Sequence, residues 1–346
     1  MAGHYFQRIG VIGGGAWGTA LAQTLAEAGR KVTIWAHEAD TVREINEHNT
    51  NRLFLAGIAL NPCIVATVSL ADIAHNDLLL MVTPAQHLRR VAAQLQPHIA
   101  SATPILVCAK GIEQTTGKLL GKILSEELPR TVHGVLSGPS FARDVARGMP
   151  AALTVACPEK SLCERVAAAL GSQKLRIYWT DDLIGVQIGG AVKNVLAIAA
   201  GIVDGKKLGA SAHAALVTRG FAEMRRFAEA LGARPETLSG LSGLGDLLLT
   251  CGSPQSRNMS LGRALGEGLA LDDILGERKA VTEGVYTAEA VLRIAREKGI
   301  EVPIAAAVKA IVNHEISVDD AIHGLMARPL RAEIEVFNAD SPQGNG

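Results

Sequence analysis

The chain has 346 residues, 48% of them hydrophobic and 20% charged, a globular composition long enough for two domains and a sizeable buried core. Lys plus Arg (34) balances Asp plus Glu (34), so no global field draws nucleic acid or an anionic membrane surface, and an anionic partner must be recognised locally. The five cysteines (Cys63, Cys108, Cys157, Cys163 and Cys251) are odd in number and lack metal-ligand spacing, which predicts no metal site, no disulfide framework and a reducing compartment.

The first strand pattern begins by Ile9 and leaves no space for a signal peptide, and the apolar stretch Val195 to Val203 is too short to span a bilayer; a cytoplasmic protein is expected. Ile9 to Ile12 is a short apolar run that leads into Gly13-Gly-Gly-Ala-Trp-Gly18, followed by a helical pattern from Thr19 to Ala28 that Gly29 stops. This is G-x-G-x-x-G between strand and helix, the dinucleotide fingerprint. Gly13 permits the tight turn, Gly15 lets a pyrophosphate approach the backbone, and Gly18 lets helix pack on strand. A second strand, Lys31 to Trp35, completes the context. Ala36 stands where a carboxylate would hold the ribose 2′-hydroxyl of NAD, and His37 next to it can accommodate a 2′-phosphate, so the reading leans to NADP; Glu38 can still reach a ribose if the strand ends two residues later.

Leu78 to Val82 and Pro104 to Ala109 are continuous apolar runs, the pattern of parallel strands covered on both faces. Ligands in such doubly wound sheets lie at the carboxyl ends of strands, where Lys110 is either a cation for cofactor phosphate or anionic substrate, or a solvated loop lysine. Ser137-Gly-Pro-Ser-Phe-Ala142 follows another strand, Val132 to Leu136, and is ordinary turn chemistry at a position that also suits a ligand. Ala152 to Ala156 and Leu175 to Trp179 bracket a helix from Ser161 to Leu170 and finish the sheet.

Beyond Asp181 the period becomes helical. Residues 1–180 are expected to form a Rossmann domain, 181–335 an all-helical substrate domain, and 336–346, rich in polar and small residues, a disordered tail. Gly185 to Gly205 is almost wholly apolar and carries Lys193, with Gly189 and Gly190 one turn before it, so its face leaves room for close approach. A buried ammonium needs a partner or loses its proton. Asp246, after Ser242-Gly-Leu-Gly, reads either as a helix N-cap or as that partner. Ser256-Arg257-Asn258 at a helix start combines hydroxyl, guanidinium, amide and helix dipole, a set suited to phosphate, or forms a solvated helix start.

Gly13-x-Gly-x-x-Gly18, Ala109-Lys-Gly111, Ser137-Gly-Pro-Ser140, Val192-Lys-Asn194, Gly243-Leu-Gly-Asp246, Ser256-Arg-Asn258 and Thr282-Glu-Gly284 follow the order and approximate spacing of NAD(P)-dependent glycerol-3-phosphate dehydrogenases. From about residue 8 to residue 330 the chain resembles the bacterial members of that family. The resemblance implies a Rossmann domain plus an all-helical domain similar to those of 6-phosphogluconate dehydrogenase relatives, and a dimer. It also implies reversible NAD(P)H-dependent reduction of dihydroxyacetone phosphate to sn-glycerol 3-phosphate, feeding glycerophospholipid synthesis. By the same resemblance Lys193 is the proton donor and acceptor, with Asp246 beside it. Lys110, Gly138, Ser140, Lys193, Asn194, Asp246, Ser256, Arg257 and Asn258 would contact substrate. Gly13, Gly15, Ala16, Trp17, Gly18, His37, Lys110, Ala142, Arg257, Val281 and Glu283 would contact the cofactor. Ala16 with Trp17 departs from relatives, which often carry a hydroxyl and a smaller or phenolic aromatic there. Two other readings stay open: a related dehydrogenase acting on another hydroxy acid or polyol, and a nicotinamide-binding sensor without catalysis.

Overall fold

The computed structural model describes residues 6–276, 282–330 and 332–333; Val281 and the expected tail lie outside them. Eight strands, β1 (Arg8–Ile12), β2 (Lys31–Trp35), β3 (Val65–Thr67), β4 (Leu78–Met81), β5 (Pro104–Val107), β6 (Val132–Ser137), β7 (Ala151–Ala156) and β8 (Leu175–Thr180), form one sheet in the order β3-β2-β1-β4-β5-β6-β7-β8. Strand order reverses between β1 and β4, which opens the crevice where such sheets bind ligands.

The helices α1 (Ala16–Glu27), α2 (Ala39–His48), α3 (Arg52–Leu55), α4 (Leu70–Ile73), α5 (Leu88–Leu95), α6 (Leu120–Glu127), α7 (Ala142–Ala146) and α8 (Lys160–Leu170) accompany the sheet. Along β4 the side chains alternate between two cores: Leu78 and Leu80 pack with Leu21 and Leu25 of α1, whereas Leu79 and Met81 pack with Leu88 of α5 and Ile123 of α6. Both faces being covered, the strand reads as one apolar run without alternation.

All neighbouring strands run parallel except β6 and β7, which pair antiparallel through Ser137↔Thr154 and Leu136↔Val155. The sequence pattern gives no sign of that step. It arises because the link from Gly138 to Pro150, with α7 inside it, brings β7 back from the same edge where β6 ends. The Ser137-Gly-Pro-Ser140 turn is thereby held at the crevice edge of the sheet.

From Leu183 on, every described element is helical: α9 (Leu183–Gly205), α10 (Ala210–Ala230), α11 (Pro235–Leu238), α12 (Asp246–Cys251), α13 (Arg257–Gly266), α14 (Leu271–Gly276), α15 (Glu283–Lys298), α16 (Pro303–Val312) and α17 (Val318–Met326). The Asp182 carboxylate caps α9 by accepting from Gly185 N at 2.8 Å. With 23 residues α9 is long and apolar enough to cross a membrane, but it is the buried core of this half, surrounded by Met224 and Phe227 of α10, Leu247 of α12, Leu261 of α13 and Val291 of α15. Its backbone meets that of α13 directly. A Cβ at Gly262 would lie 1.9 Å from the Ile198 carbonyl oxygen, and one at Gly201 2.0 Å from that of Met259.

Candidate active site

A cavity of about 980 Å³ runs from the glycine loop across the crevice to α9, α12 and α13. At its outer end, Gly13 adopts φ +131°, and a Cβ at Gly18 would fall 1.9 Å from the Gly13 carbonyl oxygen, so α1 lies directly against the turn. A Cβ at Gly15 would meet nothing within 4 Å, leaving that backbone open to the cavity. Gly15 is also the N-cap of α1, and no side chain caps the helix start, so its N–H groups and positive dipole end remain for an anion. These features fit a dinucleotide pyrophosphate.

Ala16 and Trp17 line the cavity beside the loop. Ala36 is fully buried, and His37 and Glu38 follow it as exposed cavity residues. Ala142, the first residue of α7, and Glu283, the first residue of α15, also line it. One Glu283 oxygen accepts from Ala85 N at 3.0 Å and the other, buried, has no hydrogen-bond partner among the described residues; burial holds this carboxyl above the usual glutamate range.

Lys193, Lys110 and Asp246 meet at the inner end. Lys193 Nζ donates to Asp246 Oδ1 at 2.6 Å and to Thr250 Oγ1 at 2.8 Å, and Lys110 Nζ donates to Asp246 Oδ2 at 2.7 Å and to the Gly138 carbonyl at 2.9 Å. Asp246 is 0% exposed. It is the first residue of α12, whose N-cap is Gly245, so its carboxylate is not a cap but the shared partner of two ammonium groups. A π-helical turn, Leu241–Gly245, delivers it there. That turn sits on α9 at Gly189, where a Cβ would meet the Ser242 carbonyl oxygen at 2.4 Å. A Cβ at Gly190 would meet Ser137 Oγ at 2.6 Å and touch the Lys110 side chain at 3.4 Å. The adjacent glycines give Lys193 a face without side chains, and two other segments fill it.

Burial pulls the Lys193 ammonium down to about 8, with nearby Lys110 acting in the same sense and Asp246 opposing it. Two lysines and one aspartate leave one net positive charge in a site shielded from water, which favours an anion or a developing oxyanion there.

The neighbouring polar groups hold one another in place. Asn194 Nδ2 donates to the Lys110 carbonyl at 3.3 Å, its Oδ1 accepts from Asn258 Nδ2 at 3.0 Å, and Asn258 Oδ1 accepts from Gly284 N at 3.0 Å. Ser256 caps α13 by accepting from Met259 N at 3.2 Å, and Arg257 is exposed on the cavity wall. Ser140 lines the cavity and donates to the Gly138 carbonyl at 3.1 Å. Gly138 itself is not a lining residue; its carbonyl serves Lys110 and Ser140 instead.

Sequence reasoning does not single out Thr250, Arg52 and Phe54, all of which line the cavity. Thr250 stands four residues after Asp246, the one-turn spacing that places both on one face, and this was the signal available.

Family models for the N-terminus and the C-terminus of NAD-dependent glycerol-3-phosphate dehydrogenase match residues 8–163 and 182–323. A glycerol-3-phosphate dehydrogenase [NAD(P)+] of Parvibaculum lavamentivorans is 56% identical over 328 residues, 95% of this chain and 98% of that protein. The enzyme of the same name from Maricaulis maris is 55% identical with the same coverage. The crystal structure of glycerol-3-phosphate dehydrogenase from Coxiella burnetii superposes with a TM-score of 0.90 at 37% identity, covering 93% of this chain and 99% of that one. Both halves of the fold and nearly the whole chain being matched, the protein belongs to the NAD-dependent glycerol-3-phosphate dehydrogenase family.

Proposed function

We propose that the protein catalyses the reversible NAD(P)H-dependent reduction of dihydroxyacetone phosphate to sn-glycerol 3-phosphate and so feeds glycerophospholipid synthesis. The observation that carries this reading is the buried Lys193–Asp246–Lys110 cluster at the inner end of a cavity whose outer end is the glycine loop. A bound reduced nicotinamide supplies the hydride. The glycine loop and the start of α1 hold the pyrophosphate, with Ala16, Trp17, His37, Ala142 and Glu283 along the same cavity and Val281 a further expected contact.

Lys193 gives its proton to the substrate carbonyl oxygen as negative charge develops on it. Asp246 and Thr250 fix the direction of the ammonium, and Lys110 adds a second positive charge that stabilises the oxyanion. Ser256, Arg257 and Asn258 at the α13 start take the substrate phosphate, Arg257 with its bidentate guanidinium and the helix with its dipole. Ser140 and Asn194 complete the polar wall around the glyceryl group, and Gly138 acts through Lys110. In the reverse direction neutral Lys193 accepts the proton from the secondary hydroxyl.

Residues 1–180 act in this reading as the coenzyme domain and 181–335 as the substrate domain. A cytoplasmic homodimer is the form in which we expect the enzyme to work. The test is loss of reduced-nicotinamide absorbance with dihydroxyacetone phosphate, run with NADPH and with NADH, against unphosphorylated dihydroxyacetone. Oxidation that requires the phosphorylated ketone supports the assignment, and the ratio of the two coenzymes ranks them. Equal rates with both ketones would remove the phosphate site from the account.

A further inference from the structure

The glycine loop rests on a side chain to which the reaction gives no role. Asn51, immediately ahead of α3, is 1% exposed, and its Nδ2 donates to the Gly14 carbonyl at 2.8 Å and to Thr19 Oγ1 at 2.8 Å. The Thr19 hydroxyl donates in turn to the same Gly14 carbonyl at 3.2 Å. Two side chains from different elements therefore grip one carbonyl. The Gly14–Gly15 peptide is trans, so fixing its C=O toward Asn51 turns the Gly15 N–H the opposite way. Gly15 lines the cavity and has open space where a side chain would stand.

Asn51 Oδ1, by contrast, is buried and has no hydrogen-bond partner among the described residues. Reversing the amide would bring that oxygen against the Gly14 carbonyl, so the neighbours fix which end donates. An unsatisfied buried acceptor is a cost that plain packing would remove with an apolar residue. What the site retains is the pair of N–H donors. The same residue leads into Arg52, Leu53, Phe54 and Leu55, all of which line the cavity beside the loop.

We propose that Asn51 is a positioning residue for coenzyme binding: with Thr19 it locks the Gly14–Gly15 peptide so that the Gly15 N–H faces the pyrophosphate, and it ties the α3 wall to that loop. The proposal rests on the reading that this cavity takes NAD(P)(H). It is tested by quenching of Trp17 and Trp35 fluorescence, both residues lining the cavity, on titration with NADPH and NADH.

Asn51→Ala and the near-isosteric Thr19→Val are each expected to raise the coenzyme Kd about tenfold, with Asn51→Asp, which sets a carboxylate against the Gly14 carbonyl, at least as damaging. Thr19→Ser keeps the oxygen and is expected to stay within about twofold of wild type. In turnover the loss should fall on KM for the coenzyme rather than on kcat, a split that general loosening of the fold would not produce. Thr19→Val preserves core volume and carries the test if the Asn51 variants do not fold. Wild-type affinity in Asn51→Ala or in Thr19→Val, or an equal loss in Thr19→Ser and Thr19→Val, overturns the proposal. A wild-type protein that binds neither coenzyme overturns the dinucleotide reading, and this proposal with it.

Discussion

Lys193 shows how one side chain acquires an unusual chemistry from its surroundings. An ordinary lysine titrates near pH 10.4 and is a poor acid at neutrality; here burial lowers it to about 8 although a carboxylate lies at 2.6 Å. Burial and Asp246 act in opposite senses on this ammonium, and the depth of α9 tips the balance to burial. Replacing Lys193 with Ala removes the proposed proton donor while Asp246 keeps Lys110 as its partner. We therefore expect kcat to fall by about 10² to 10⁴, the usual worth of general acid catalysis, with little change in NADPH affinity measured by fluorescence. A variant with near-normal turnover would dismiss Lys193 as the acid. Individual residues were unevenly legible. Lys193 is marked by charge within an apolar run and Thr250 only by its one-turn spacing from Asp246, but nothing distinguishes Asn51 from other polar residues, because its role depends on a partner 37 positions away.

Among elements, those with a strong apolar period were the easiest to read. The continuous runs of β4 and β5 and the long apolar segment of α9 announced themselves. α2 did not, since only Thr41 and Ile45 of its ten residues are buried and its apolar side is short, with Val42 and Ile45 as its larger apolar residues. β3 has three residues and was passed over for its shortness. Links between elements were less legible still. Glu223 of α10 is 2% exposed, and its two carboxylate oxygens accept from Ile304 N and Ala305 N, each at 2.9 Å. It thus caps α16 from another helix, at a distance of 81 residues. Burial raises this carboxyl above the usual range, opposed by those two N–H donors and by Arg226 and Arg328. Glu223→Ala would strand two helix-start N–H groups, and we expect it to cost about 2–3 kcal/mol, read as a lower thermal midpoint. An unchanged midpoint would mean that the α16 start finds other partners at no cost.

Across the whole molecule, the site exists only where the sheet half and the helical half meet. Lys110 extends from the β5 end, Lys193 from α9 and Asp246 from α12, and each is fixed by contacts with the others. The fold class and the two-part organisation were legible in the change of period near residue 180. The antiparallel β6–β7 step was not, because strand direction is set by the route of the link and leaves no mark in strand composition.

The buried lysine makes one demand that the assembled enzyme alone can satisfy. In the proposed mechanism reduction needs Lys193 protonated, and oxidation needs it neutral. The most direct measurement is the pH dependence of kcat/KM for dihydroxyacetone phosphate, with coenzyme saturating. The account predicts that reduction holds steady near neutrality and falls through an apparent pKa of about 8, while oxidation of glycerol 3-phosphate rises through the same value. A reduction profile that stays flat to about pH 10, the range of an unperturbed lysine, would contradict it.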